Sequence, residues 1–221
     1  MLTAAPQHGD APQHGDAFQL AGDGLLLALA QHASGSVELA TDCSQALRQR
    51  DWTGDDMLAD QLGSALGRNP TPLLRALTVD LEELAGILEG DPLNGGGRID
   101  RATGEVWPAS AIDYVRETGE EDDDVTDDPD RWLWVHCQGS RESYRDMQSF
   151  IDTIGDPGRA DALDRAINGR GPFRRFKDTL DRWPRELERW HSYHEDRQRG
   201  SARDWLADAG HTVAPPTPPT A

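Results

Sequence analysis

Residues 169–205, GRGPFRRFKDTLDRWPRELERWHSYHEDRQRGSARDW, hold the chain's densest mixture of aromatic and basic side chains. Gly171-Pro172 reads as a helix start, because proline is pre-set to a helical φ and the N–H it lacks has no intrahelical partner there anyway. From that point Phe173, Phe176, Leu180 and Trp183 recur at i, i+3, i+7 and i+10 and share one face. Pro184 ends this helix and opens the next, in which Leu187, Trp190, His194, Trp205 and Leu206 face inward and Gly200 bends or interrupts the run. The stretch separates into two layers. Phe173, Phe176, Trp183, Trp190 and Trp205 form a core, and the Arg and Lys side chains point outward.

Upstream, Ser140 is placed to cap a helix carrying Tyr144, Met147, Phe150, Ile151 and Ile154 on one stripe. Before it, Arg131-Trp132-Leu133-Trp134-Val135 is the most strand-like segment of the sequence. Arg98–Asp100 and Glu105-Val106-Trp107, with Ala102-Thr103-Gly104 between them, predict a β-hairpin whose turn glycine supplies a positive φ. Asp80 is a helix N-cap with Glu82 and Glu83 against the helix dipole, Leu81, Leu84 and Leu88 on one face, and Gly90 just past the end. Residues 37–67 predict two helices joined at Thr53-Gly54-Asp55, and Asn69-Pro70-Thr71-Pro72 marks a boundary.

At the ends the sequence changes character. The hexapeptide PQHGDA is written twice, at residues 6–11 and 12–17. Such composition buries too little apolar surface to offset ordering, so residues 1–23 are expected to be a disordered arm. Residues 24–68 form a helical N-terminal region, residues 79–210 an α+β domain with an acidic loop at 117–130, and residues 211–221 a disordered Pro-rich tail. The acidic run EEDDD at 120–124 repels itself and stays solvated, with no folded cage to gather a metal.

The net charge is −18 over 221 residues, and it is unevenly spread. Residues 1–138 carry 8 Lys/Arg against 26 Asp/Glu, whereas residues 139–206 carry 14 against 13. An acidic body keeps a protein soluble and sets what it attracts. Two cysteines, Cys43 and Cys137, without CxxC spacing make no disulfide framework and fit a reducing compartment. The apolar run at 25–30 is far shorter than the ~20 residues of a membrane span, so a cytoplasmic protein with no membrane association is expected.

Several motifs, VDLEELAGILEG, RATGEV, SRESYRDMQSFI, PFRRFKDTL and ERWHSYHEDRQRGSARDWL, occur in this order and spacing. Together they resemble the bacterial uncharacterised protein family numbered 0158, over about residues 79–210. ALRQRDWTGDD looks like the N-terminal extension of its actinobacterial members. The resemblance implies an α+β arrangement and lends no catalytic residues.

The expected architecture is therefore α+β and mostly helical, with a small antiparallel β-sheet packed against a C-terminal helical bundle. The expected function is a non-enzymatic interaction or regulatory protein with a protein partner and no cofactor or metal; sequence leaves the oligomeric state open. The candidate binding residues are Arg174, Arg175, Lys177, Arg197 and Arg199. A second reading makes the same cations, beside aromatic rings, a single-stranded nucleic-acid surface. A third is a hydrolase using Cys137 or the pair His191 and His194. His136 forms no dyad with Cys137, because neighbours on a strand point to opposite faces. The glycines at 95–97 lack the Lys-Ser/Thr of a phosphate loop.

Overall fold

The structure is a computed structural model that describes residues 17–70, 73–91, 93, 95–118 and 128–214. The repeated hexapeptides up to residue 16, most of the acidic loop and most of the Pro-rich tail lie outside the described residues. The described chain is mostly helical α+β. Its elements are α1 (Phe18–Ala30), α2 (Ser36–Arg50), α3 (Asp55–Ala65), β1 (Arg75–Leu77), α4 (Leu81–Leu88), β2 (Gly97–Asp100), β3 (Val106–Pro108), α5 (Ala109–Thr118), β4 (Trp132–Val135), α6 (Arg141–Asp152), α7 (Pro157–Ile167), α8 (Pro172–Leu180), α9 (Pro184–Asp208) and β5 (His211–Val213).

The hairpin forms where the sequence places it. β2 and β3 pair antiparallel with Ile99 opposite Val106, and Gly104 at φ 80° makes the turn. A Cβ at Gly104 would stand 1.6 Å from the Thr78 carbonyl oxygen, so the position admits glycine alone. β4 adds to the other edge of β2, with Ile99 opposite Leu133, giving the sheet order β3-β2-β4. Asp80 caps α4 by accepting from the Glu82 and Glu83 N–H groups at 2.8 and 3.3 Å, a contact of about 1 kcal/mol.

α9 is the spine. Its 25 residues run about 37 Å and reach two apolar cores. Ala202 and Leu206 pack with Leu81, Leu84, Leu88 and Ile99 beneath the sheet. Trp190 and Tyr193 pack with Met147 and Phe150 of α6, Leu163 of α7, and Phe176 and Leu180 of α8. Phe176 lies edge-on to Trp190 at 4.8 Å and to Phe150 at 6.3 Å. A third core, with Leu26, Ala40, Leu47, Leu58 and Leu62, joins α1, α2 and α3.

Five expectations change. α1 begins at Phe18, inside the stretch expected to be a disordered arm through residue 23, because the Gln19 N–H is held by Asp196 at 2.6 Å. The tail expected from residue 211 begins as a strand instead: His211, Thr212 and Val213 pair in parallel with Arg75, Ala76 and Leu77. Glu117 and Thr118, expected in the acidic loop, end α5. Gly200 does not break α9; it lets the helix touch the Thr53-Gly54 turn, where a Cβ at Gly200 would meet the Thr53 carbonyl oxygen at 2.2 Å. Phe173 is 37% exposed and is not part of the core, because the face of α8 that meets α6 and α9 is filled by Phe176 and Leu180.

Candidate functional site

The five cations singled out by sequence fall into two groups. α8 is anchored by buried Phe176 and Leu180, which turns Arg174, Arg175 and Lys177 to solvent. The Arg174 side chain is 90% exposed and its nearest carboxylate, Asp178, is 3.8 Å away, a solvated pair of small energetic weight. The Arg175 guanidinium lies over Gly169, where a Cβ would meet Nη1 at 1.5 Å, so the glycine makes room for the arginine. Arg170, Arg182 and Arg185 are exposed on the flanks of the same helix. Residues 170–185 thus present six exposed cations against two acids, Asp178 and Asp181, with Phe173 exposed among them.

Arg197 and Arg199 sit on α9 and are committed elsewhere. Arg197 Nε donates to Asp146 Oδ1 at 2.8 Å, and its guanidinium lies 5.2 Å from the Trp52 ring. Arg199 bridges to Glu82 at 3.2 Å and Asp23 at 4.0 Å. Both tie α9 to its neighbours.

The histidine pair separates as well. His191 is exposed, whereas His194 stacks on Trp190 at 4.8 Å and 13°. His194 Nε2 is 3.6 Å from Glu89 Oε1, and Nδ1 is 3.9 Å from Asp146 Oδ2. Burial pushes the imidazole pKa below its usual value despite these two carboxylates, and burial raises the Asp146 carboxyl despite Arg197. Ser143 donates its hydroxyl to Glu89, so the serine is bonded to the carboxylate and not to the imidazole. The adjoining cavity, lined by Glu89, Ser143 and Asp146, measures about 30 Å³, room for about one water. This geometry packs the imidazole between helices beside that small cavity.

Cys137 is similarly held. Its thiol donates to the Ile87 carbonyl at 2.9 Å, and Cβ atoms at Gly90 or Gly95 would collide with Sγ at 2.8 and 2.5 Å. Burial, then the charge of Asp91, raises its pKa, which keeps it a thiol and a weak nucleophile. Among the described residues no group of three or more His, Cys, Asp or Glu is placed to hold a metal ion.

Sequence reasoning missed a buried polar network between the N-terminal helices and α9. Arg50 clamps Asp55 at 2.9 and 2.7 Å and Asp196 at 2.5 Å, and stacks over Trp52 at 4.0 Å. Arg203, only 2% exposed, donates to Gln19 at 2.9 Å, Gln61 at 2.8 Å and Asp23 at 2.6 Å. Burial raises the Asp196 carboxyl even against Arg50. The available signal was Asp196 and Arg203 seven residues apart on α9, two turns along one face. Arg98 was also read only as a hairpin residue; it is fully buried on β2, its guanidinium 3.7 Å from the Trp132 ring and 5.3 Å from Trp107.

These observations define a mostly helical α+β protein with a three-stranded antiparallel sheet and a long C-terminal spine helix. The chain belongs to the Uncharacterised protein family (UPF0158), whose model matches residues 76–214. A relative is the UPF0158 protein PA5073 of Pseudomonas aeruginosa, 30% identical over 135 residues, which is 61% of this chain and 85% of the relative. The matched span begins inside β1 and takes in β5, the parallel pair that closes the unit, where the sequence reading stopped at residues 79 and 210. No solved structure matches.

Proposed function

We propose that this is a non-enzymatic interaction protein of the cytoplasm that docks an acidic protein surface through the outer face of α8. The observation that carries this reading is the cluster of six exposed cations at residues 170–185 on a protein of net charge −18. A local reversal of sign steers an oppositely charged partner to one face and repels it from the rest of the surface. Arg174, Arg175 and Lys177 are the contact residues, with exposed Phe173 as an apolar centre; Arg197 and Arg199 hold α9 in place. Cys43 and Cys137 as free thiols are in keeping with a reducing compartment. Among the described residues no helix is long and apolar enough to cross a membrane.

A nucleic-acid surface has less support, because Phe176 and Trp190 are buried and unable to stack on bases, leaving Phe173 alone on that helix face. The test is capture from lysate of the native host by the wild type and by the Arg174→Glu/Arg175→Glu/Lys177→Glu variant. The wild type is expected to retain an acidic protein that elutes with added salt and is not captured by the variant. Equal capture by the variant, or capture indifferent to salt, overturns the proposal. Tight, salt-sensitive binding of a short single-stranded oligonucleotide by the wild type alone moves the assignment to nucleic acid.

A further inference from the structure

β5 is a short strand at the C-terminal end of the fold. Its three residues pair in parallel with β1, His211 opposite Arg75, and the pair is framed by the Arg75 N–H on the Gly210 carbonyl at 3.1 Å and the Ala214 N–H on the Leu77 carbonyl at 2.9 Å. A two-stranded ladder of this length is marginal by itself, so side chains decide whether the strand stays. Gln61 of α3 fastens the far end, donating to the Thr212 hydroxyl at 2.5 Å and the Val213 carbonyl at 3.0 Å. His211 fastens the near end.

The His211 side chain is buried, and its Nε2 meets Arg101 Nη1, from the β2–β3 turn, at 2.8 Å. Arginine only donates, so Nε2 accepts, and the imidazole proton sits on Nδ1, buried and turned toward the Arg75 backbone. A second proton on the ring would occupy the lone pair that Arg101 uses. The contact therefore exists for the neutral imidazole alone. Among the described residues neither Arg75 nor Arg101 makes an ion pair, and no carboxylate lies within ion-pair distance of the ring. The other charged groups beside β5 give it no counterion. Arg203 of α9 is spent on Gln19, Gln61 and Asp23, and Asp60 of α3 accepts from Arg48. Asp204 and Asp208 of α9 line the same cleft as His211 without pairing with it. Burial, then the Arg101 charge, pushes the imidazole below its usual pKa, and the Arg75 backbone, which favours the charged ring, does not offset them.

We propose that His211 is an acid-sensitive latch: its neutral imidazole holds β5 against β1 and the β2–β3 turn, and its protonation releases the strand. A buried imidazolium facing two unpaired arginines has lost its hydrogen bond and gained only repulsion. In the released strand the ring returns to an ordinary pKa of about 6.5, above its value in the closed structure. The released form takes up the extra proton first, so the closed form loses ground as the pH falls below about 6.5. Val213, which packs on the core with Leu77 and Leu206, leaves with the strand, and acid thereby uncovers an apolar edge.

Hydrogen exchange of the full chain, corrected for the pH dependence of the chemical step, tests the latch at pH 7.5 and pH 5.0. One proton taken up at a pKa of about 6.5 shifts the opening equilibrium by up to about thirtyfold over that interval. Protection of β1 and β5 is expected to fall at least fivefold in the wild type, while that of α6 and α8 holds. In the His211→Gln variant the amide oxygen accepts from Arg101 and does not titrate, so β1 and β5 are expected to keep their protection at both pH values. Buried carboxyls such as Asp204 titrate in both proteins, so the difference between the two reports the histidine. Should the variant leave β5 unprotected at pH 7.5, Arg101→Gln removes the facing cation, and the acid-linked loss is expected to be at least threefold smaller than in the wild type. Unchanged protection of β5 in the wild type overturns the proposal. So does an equal loss in every helix, or a variant whose loss in acid matches the wild type's.

Discussion

Gly200 shows how one missing side chain decides an architecture. In an exposed helix interior, glycine to alanine is stabilising by about 1 kcal/mol. Here the Gly200 Cα lies against the Gly54 turn, and a Cβ at either residue would come within 2.2 Å of a backbone carbonyl oxygen of the other segment. Gly54 also holds φ at 79°. Gly200→Ala is therefore expected to lower stability by about 2 kcal/mol or more, opposite in sign to the helix-propensity gain. Urea denaturation of the variant checks it; an unchanged or raised midpoint would mean that the α9 contact with the turn is not tight. The helical period around Gly200 was legible in the sequence, but a close approach between segments about 145 residues apart leaves no local mark. Phe173 fails for a related reason: periodicity puts it near the face of Phe176, and only the volume filled by α6 and α9 decides that Phe176 and Leu180 go in while Phe173 stays out.

Among the elements, those with strong local signals were readable and those held by distant partners were not. The Asp80 cap, the turn at Gly104 and the stripe of Met147, Phe150 and Ile151 each declare their structure within about ten residues. α1 does not, because Gly22 and Gly24 dilute its pattern and its first turn is secured by Asp196 on α9. β5 is three residues long and exists as a strand only through its pairing with β1. The network around Arg50 joins these helices to the spine, and removing the cation would leave Asp55 and Asp196, both almost wholly buried, without their partner. Arg50→Met is expected to cost about 3–5 kcal/mol, and to speed hydrogen exchange in α1–α3 more than in the sheet. A uniform change in exchange across the protein would count against a docking role for this residue.

For the whole molecule, the sequence revealed the charge asymmetry and the fold class, and its periodicity turned Arg174, Arg175 and Lys177 away from the apolar face of α8, where the structure has them exposed. It could not tell which cations were already paired: Arg197 and Arg199 look like Arg174 and Arg175 in sequence, and only tertiary structure brings Asp146 and Glu82 against them. What remains exposed is α8, and it carries a convenient reporter. Lys177 is the single lysine of the 221 residues, so an amine-directed label marks this face and, besides it, only the chain's amino terminus. The most direct measurement of the central claim is the acylation rate of Lys177, followed by peptide mass spectrometry, in the protein alone and in complex with its captured acidic partner. Docking through α8 predicts that complex formation protects Lys177 at least tenfold while the amino terminus reacts as before. A Lys177 that labels equally fast in the complex would contradict the account.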